Sequence, residues 1–296
     1  MALITQERMR FGRLCLGVLK RAALRCWGRD VMLYVGGVAF FALLALFPAL
    51  AILIGLYGAI FTPHQAAAQT EVFAQILPEG ARNLIVTELA HISRTPGGAV
   101  SLQSAFALVV GGYAAHRGFK ALLAGLMFIH DEEEPHGFLR FNLLAFFVAL
   151  AAFGMATAMS GLIIALRLIK TAVHLRTGHE FGVFTNEWVL STLGLAAGLT
   201  CLYHYAMSHS GPVIWRASVV GGAAAAAVSL AASLGSAFYV DRVMHLGATY
   251  GSIATVMIFL IWVSWNVNAV FFGGALATEV EIALNHYRAR NASAKA

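Results

Sequence analysis

Histidine is the residue of this sequence most suited to acid–base or metal chemistry, and the chain has 11 of them. Two pairs, His174 with His179 and His204 with His209, are five residues apart. On a helix that spacing turns the two rings away from each other, and the HExxH and GxSxG motifs of hydrolytic enzymes are absent from the sequence. We therefore expect no catalytic residues, no cofactor and no metal site, and an enzyme is the least favoured function.

The segment HDEEEPH at 130–136 is rich in carboxylates and could be taken for a metal site. Consecutive residues point in different directions, however, and the segment lacks the ligand spacing of known metal sites. We interpret it as a solvated acidic loop.

Polar side chains inside apolar segments are further candidates, because such residues can line a transport path or join helices. Asn266 and Asn268 are two positions apart and cannot face the same direction on a helix. One can face a cavity while the other binds a neighbouring helix, but hydrogen bonds between helices are the interpretation we favour for both. Charged residues at the ends of predicted spans are interpreted as interfacial anchors, with a place on a cargo path as the alternative: Asp30, Arg216, Asp241 and Glu279.

These residues belong to a chain of 296 residues that is 59% hydrophobic and 11% charged, with a mean hydropathy of +0.76. Soluble domains carry about 25% charged residues, so the composition predicts an all-α polytopic membrane protein. Asp30 opens the first apolar stretch, and no Lys, Arg, Asp or Glu follows until Glu71. About 20 residues cross a bilayer, so this stretch is long enough, and Pro48 in its middle predicts a helix kink.

The apolar pattern predicts six spans, at 30–63, 99–115, 141–166, 187–207, 217–240 and 250–277. The second is expected to emerge from the membrane near Arg117, with the residues up to Ile129 lying at the interface. The fifth consists almost entirely of small residues, which allow close helix contact, and is expected in the middle of the bundle. No span centre defined in this way holds a charged residue, which favours an uncharged or amphipathic cargo over a proton- or cation-coupled pump.

Lys and Arg are concentrated on one side of these spans, at the N-terminus, at 117–140 and in the tail. The positive-inside rule then places both termini in the cytoplasm. The predicted organisation is a cytoplasmic amphipathic helix at 1–29, a membrane domain of six helices at 30–280 and a cytoplasmic tail at 281–296. The net charge of +6 is attributed to these cytoplasmic segments, and no nucleic-acid partner is expected.

The segment 8–29 is basic and amphipathic. Its apolar side carries Phe11, Leu14, Cys15, Val18, Ala22 and Cys26, and most of its basic residues fall on the other side. Such a helix can lie in the headgroup layer with its arginines on anionic lipid. We therefore expect anionic lipid as a partner of this helix.

Several motifs, taken in order, resemble the YihY/BrkB family of bacterial inner-membrane proteins. They are Asp30 followed by Val38-Ala39-Phe40 and Leu43 to Pro48, Leu77-Pro78, Trp215-Arg216 with Gly221-Gly222-Ala223, and Tyr250-Gly251 with Trp262 and Gly274-Ala275. One departure is Leu276, where the family usually has Glu, although Glu279 can present a carboxylate on the same helix face. The resemblance implies six helices in a multi-pass protein of the bacterial inner membrane. Some members carry the label ribonuclease BN, which the residues of this chain do not support.

Transport or translocation of a small or lipid-like amphipathic molecule is the function we favour, because the chain is a helix bundle with little soluble mass. The alternative is a non-catalytic scaffold or assembly factor of an envelope complex. Its partner would be a second copy of the chain or another envelope protein.

Overall fold

The computed structural model describes residues 16–27, 31–60, 102–131, 137–173, 187–207, 212–242 and 252–293. Within these ranges the chain forms seven α-helices and no strand: α1 (Leu16–Trp27), α2 (Val31–Ile60), α3 (Leu102–Ile129), α4 (Phe138–Val173), α5 (Glu187–Ala206), α6 (Trp215–Arg242) and α7 (Ser252–Ser293). The prediction of an all-α protein is confirmed for this part of the chain. Asp30 lies outside the described residues.

Four of the described helices, α4 to α7, are long and apolar enough to cross a membrane. A fifth span is reached if α1 and the first part of α2, which meet at 69°, are counted together. The prediction of a polytopic helical membrane protein is confirmed. The total of six spans and the cytoplasmic placement of both termini stay predictions.

Two helices are longer than the spans predicted for them. α4 has 36 residues and α7 has 42, and α7 runs on through most of the segment predicted as a tail. A hydrocarbon layer of about 30 Å needs about 20 helical residues, so both helices extend beyond it.

α2 is a single helix with Pro48 inside it. The proline ring lies against Gly111 of α3, where any side-chain carbon would collide with it. The missing side chain of Gly111 therefore lets α3 lie directly beside the proline. A kink at Pro48 stays a prediction.

The point at which α3 leaves the membrane, predicted near Arg117, stays a prediction. The helix continues without a break, and three side chains in its last two turns are fully buried: Leu123, Leu126 and Ile129. Gly125 leaves room there for the Phe271 ring of α7. Arg117 interrupts the apolar pattern only because it occupies the exposed side of a helix whose other side is packed.

α7 is the helix around which the others are arranged, since it contacts α2, α3, α5 and α6. Its Phe271 ring is fully buried, and the Tyr203 hydroxyl of α5 donates a hydrogen bond to the Val270 carbonyl at 2.7 Å. The small-residue helix α6, predicted in the middle, packs between α5 and α7 and exposes Leu234 and Phe238. The central helix is therefore the last one, and α6 keeps a lipid-facing side.

Two adjacent glycines let α6 approach both of its neighbours. A Cβ on Gly221 would lie 2.5 Å from the Gly273 carbonyl oxygen of α7, and a Cβ on Gly222 would lie 2.8 Å from the Ala196 carbonyl oxygen of α5. Within a membrane, helices associate through such close van der Waals contact rather than through exclusion of water. The Gly-Gly pair therefore sets the spacing of three helices.

Replacing either glycine by alanine should force these helices apart. We expect Gly221→Ala or Gly222→Ala to cost roughly 1–3 kcal/mol of stability, the usual penalty for overpacking. In each case the new methyl group meets a backbone carbonyl oxygen, which cannot rotate away, and at Gly222 it also meets the Thr200 hydroxyl. The measurement is the thermal unfolding midpoint in detergent. Gly161→Ala in α4 is the matched control, because nothing lies within 4 Å of its Cβ position, and an equally large effect there would contradict the packing argument.

Candidate functional site

A carboxylate on α7, Glu279, holds α1 against one end of the bundle. Its side chain is only 7% exposed, and it accepts hydrogen bonds from two arginines of α1. Arg21 Nε lies 2.8 Å from one carboxylate oxygen, and Arg25 Nε lies 3.0 Å from the other. We call Arg21, Arg25, Asp131 and Glu279 the charge clamp.

Arg25 also fixes the end of α3. Its Nη1 donates to the Ile129 carbonyl at 2.9 Å and pairs with the carboxylate of Asp131. Asp131 has a φ of 63°, a left-handed conformation that ends helices and that Asp tolerates. Burial by itself lowers the pKa of Arg25, but the hydrogen bonds and charges of Asp131 and Glu279 outweigh it and leave that pKa above its ordinary value. The guanidinium is therefore a permanent cation.

Residues next to Glu279 extend this network to two further segments. His130 Nδ1 lies 2.9 Å from the Thr278 hydroxyl, and His130 Nε2 lies 3.7 Å from the carboxylate of Glu281. Glu281 also accepts a hydrogen bond from the Ile214 amide, just before α6, at 2.9 Å. α1, the end of α3, the start of α6 and α7 thus meet at one end of the bundle.

The interpretation of 130–136 as a solvated loop is wrong for His130, which is largely buried, whereas Asp131 is half exposed. His130 and Asp131 form contacts with α1 and α7, because α3 extends far enough to deliver them there. Residues 132–136 lie outside the described ranges. Among the described residues, no group of three or more His, Cys, Asp or Glu side chains is arranged to hold a metal ion.

Two arginines of α1 bind a carboxylate of the protein, and the side chain of one of them, Arg21, is 57% exposed. Arg21 and Arg25 bind Glu279, a carboxylate that a helical wheel of α1 cannot reveal. The side that packs into the core carries the predicted apolar residues Val18, Ala22 and Cys26. The outward side is apolar as well: Leu16, Leu19, Leu24 and Trp27. Anionic lipid as a partner of the remaining basic residues, which include Lys20, stays a prediction.

A second polar group lies between α6 and α7. Asn266 Oδ1 accepts hydrogen bonds from Ser229 and, at 3.3 Å, from Ser233, while Asn266 Nδ2 donates to the Trp262 carbonyl at 2.8 Å. The Trp262 indole donates to Ser233 at 3.2 Å. The structure thus places Asn266 in the seam between two helices.

The other predicted site residues are not brought together with Asn266. Asn268 donates to the Ser264 carbonyl of its own helix at 2.8 Å. Arg216 is exposed at the start of α6. Of all the residues proposed from the sequence, Glu279 is the one that the structure places at the centre of a charged network.

A third polar group interrupts the apolar surface of α3. His116 Nε2 lies 3.0 Å from the Asn142 carbonyl oxygen of α4, and Lys120 Nζ donates to the Asn142 side chain at 2.9 Å. Lys120 also lies over the Phe141 ring, 5.5 Å from its centroid. We call His116, Arg117 and Lys120 the α3 patch.

Arg117 is the exposed member of this patch. Its guanidinium lies 5.7 Å from the centroid of the Phe41 ring of α2 and 5.9 Å from that of Tyr113, within cation–π range. Because α3 is continuous from Leu102 to Ile129, Arg117 and Lys120 fall in its interior. Both residues lie beyond the predicted span at 99–115, so the expectation that no span centre carries a charge stays a prediction.

Sequence analysis missed Arg25 and Asp131 as functional candidates. One available signal was the spacing of Arg21 and Arg25, which are one helical turn apart and border the apolar stripe of α1. Two cations at that spacing can share one carboxylate, but the sequence does not show which carboxylate is near.

Cys26 packs against the core, and burial raises the pKa of its thiol to about 11. The rate at which this thiol reacts therefore reports whether α1 is docked. We expect Glu279→Gln to loosen α1, because glutamine cannot neutralise two arginines, and a buried pair that loses one partner costs about 3–5 kcal/mol. Cys26 would then be alkylated faster. At pH 8 we expect the alkylation rate to rise at least about tenfold. A complete return of the thiol to its ordinary pKa would raise that rate roughly hundredfold.

The measurement uses a background in which Cys15 and Cys201 are replaced by serine. Lys20→Gln is the matched control, because Lys20 is an exposed cation of the same helix that lies outside the clamp. Slow alkylation in Glu279→Gln, equal to that of the control, would show that Glu279 does not hold α1.

Residues 22–296 match the family model described as virulence factor BrkB. The chain is 26% identical over 282 residues to a UPF0761 membrane protein of Ralstonia nicotianae, which covers 94% of this chain and 62% of the relative. It is 25% identical over 248 residues to a Bacillus subtilis protein named ribonuclease-like protein YfkH, which covers 81% of this chain and 86% of the relative. The chain therefore spans less than two thirds of the length of the Ralstonia relative. No solved structure matches.

The family match begins inside α1 and continues past the end of α7, so it includes the clamp, the α6–α7 seam and the α3 patch, apart from Arg21. The resemblance noted in the sequence is confirmed, and the chain belongs to the BrkB family of membrane proteins.

Proposed function

We propose that this protein moves a small or lipid-like amphipathic molecule across the bacterial inner membrane, as a bundle of six spans with both termini in the cytoplasm. The observation that carries the proposal is the α3 patch. The patch sets three ionisable side chains together in the interior of α3. Within membrane helix bundles, ionisable residues commonly mark a path for charged or polar groups.

The exposure of the patch supports an amphipathic cargo. Arg117 is exposed, and His116 and Lys120 are partly buried beside it, so the charge is accessible at the surface of the bundle. A molecule with a polar head and an apolar body could meet this charge while its apolar part stays in the lipid. A fully hydrophilic solute would instead need a continuous aqueous route.

The alternative is a scaffold of an envelope complex. It would be favoured if an envelope protein copurified in a fixed ratio and the isolated protein moved no cargo in vesicles. An enzymatic role has weaker support, since the ribonuclease-like relative contributes only its name and the described residues form no metal cluster.

Movement of lipid can be measured with the purified protein in proteoliposomes that contain a fluorescent phosphatidylglycerol. We expect wild-type protein to carry the label from the inner to the outer leaflet, where a membrane-impermeant reductant quenches it. Arg117→Gln should slow this step roughly tenfold, because a hydrogen bond to a charged group contributes about 1.5–3 kcal/mol. Arg288→Gln, a change at an exposed arginine of the last helix, is the control. Quenching no faster than in protein-free vesicles would contradict the proposal.

Substitution of the two asparagines should distinguish a role in helix packing from a role in cargo movement. We expect Asn266→Ala to lower stability by roughly 0.6–2 kcal/mol, since it removes hydrogen bonds between α6 and α7. Asn268→Ala should cost less, because the bond of Asn268 is within its own helix. Thermal unfolding in detergent measures both effects. If Asn266→Ala abolished lipid movement and left the unfolding midpoint unchanged, Asn266 would belong to the path instead of the packing.

A further inference from the structure

Exposed apolar side chains lie on all three helices that meet near Arg117. Along α3, Val109 is exposed towards one end and Phe128 towards the other. On the flanking helices, Phe40 of α2 and Leu143 of α4 are exposed. A cation is thus set in the middle of a surface whose neighbours suit lipid acyl chains.

The described contacts of Arg117 do not neutralise its charge. Within the described ranges no carboxylate pairs with it, and its contacts are the Phe41 and Tyr113 rings. Cation–π contacts hold the guanidinium in place and contribute about 0.5–2 kcal/mol, but they bring no negative charge. An anion at the guanidinium would supply it.

Spacing on the helix makes the three residues one continuous patch. Arg117 and Lys120 are three positions apart and His116 and Lys120 four, so the side chains lie on one side of α3. The hydrogen bonds of His116 and Lys120 to Asn142 fix that side against the start of α4. The positive charge is therefore held at the junction of α2, α3 and α4.

We propose that the α3 patch binds the phosphate of an anionic phospholipid from the surrounding bilayer. Arg117 supplies the paired N–H donors that suit phosphate geometry, and Lys120 adds positive charge beside it. The acyl chains lie along the exposed apolar side chains of α2 and α4. A lipid phosphate fits better than free phosphate because the patch has exposed apolar side chains above, below and beside it.

This inference rests on the proposed function in one respect: it takes the bound anionic phospholipid to be the cargo that the protein moves. Binding itself does not require that the lipid be moved. The two statements can therefore fail separately: bound lipid without movement would refute transport, and movement without binding at the patch would refute this site.

The test is native mass spectrometry of the full-length protein in detergent, titrated with phosphatidylglycerol or with phosphatidylcholine. For wild-type protein we expect phosphatidylglycerol to bind at least about tenfold more tightly than phosphatidylcholine. Arg117→Gln should weaken phosphatidylglycerol binding roughly tenfold, as loss of a charged hydrogen bond implies. Arg288→Gln, which removes the same charge from the exposed end of α7, should leave it unchanged.

Three results would overturn the proposal: equal affinity of wild-type protein for the two lipids, unchanged binding in Arg117→Gln, or equal loss in Arg117→Gln and Arg288→Gln. Millimolar inorganic phosphate is a further arm. If it displaces the lipid completely, the site takes free phosphate and the lipid assignment fails. Slow alkylation of Cys26 shows that the Arg117→Gln protein is folded, and the lipid preference of wild-type protein decides the question without any variant.

Discussion

Glu279 is a carboxylate almost entirely removed from water, and a buried carboxylate is tolerated only where cations and hydrogen bonds replace the water it has lost. Arg21 and Arg25 supply both, and Arg25 in turn satisfies the last carbonyl of α3 and the Asp131 side chain. The carboxylate of Glu279 therefore positions three helices, directly or through Arg25. Removal of Glu279 takes the carboxylate from both arginines at once, which makes Glu279 the member of the group most sensitive to substitution.

Much of the fold was accessible from composition and pattern. Apolar length predicted the regions of α2 and of α4 to α7, and the small residues of α6 predicted the close contacts that Gly221 and Gly222 make. At α3 the basic residues were taken as the end of a span, and the helix itself continues to Ile129. Hydropathy averages over all sides of a helix, so it cannot distinguish a helix that leaves the membrane from one that carries charge on a single exposed side.

The candidate sites were less predictable, because each depends on partners distant in sequence. Glu279 stood out as a charge at a span end, but its partners lie on α1, and nothing local to α1 indicates that its arginines face a carboxylate. Asn266 was identifiable from polarity within an apolar helix, whereas its hydroxyl partners Ser229 and Ser233 are ordinary residues of α6. A sequence reveals polar groups that need a partner, and the fold determines which partner each one meets.

The separation of the clamp residues along the chain bears on how the protein is made. Arg21 and Glu279 are 258 positions apart, so α1 leaves the ribosome long before the carboxylate that will bind it exists. Because chains are synthesised from the N-terminus, α1 cannot bind Glu279 until α7 has been inserted. Docking of α1 therefore follows the insertion of α7, and it occurs only in chains whose synthesis has passed that helix. A docked α1 marks a polypeptide in which α7 is already in place.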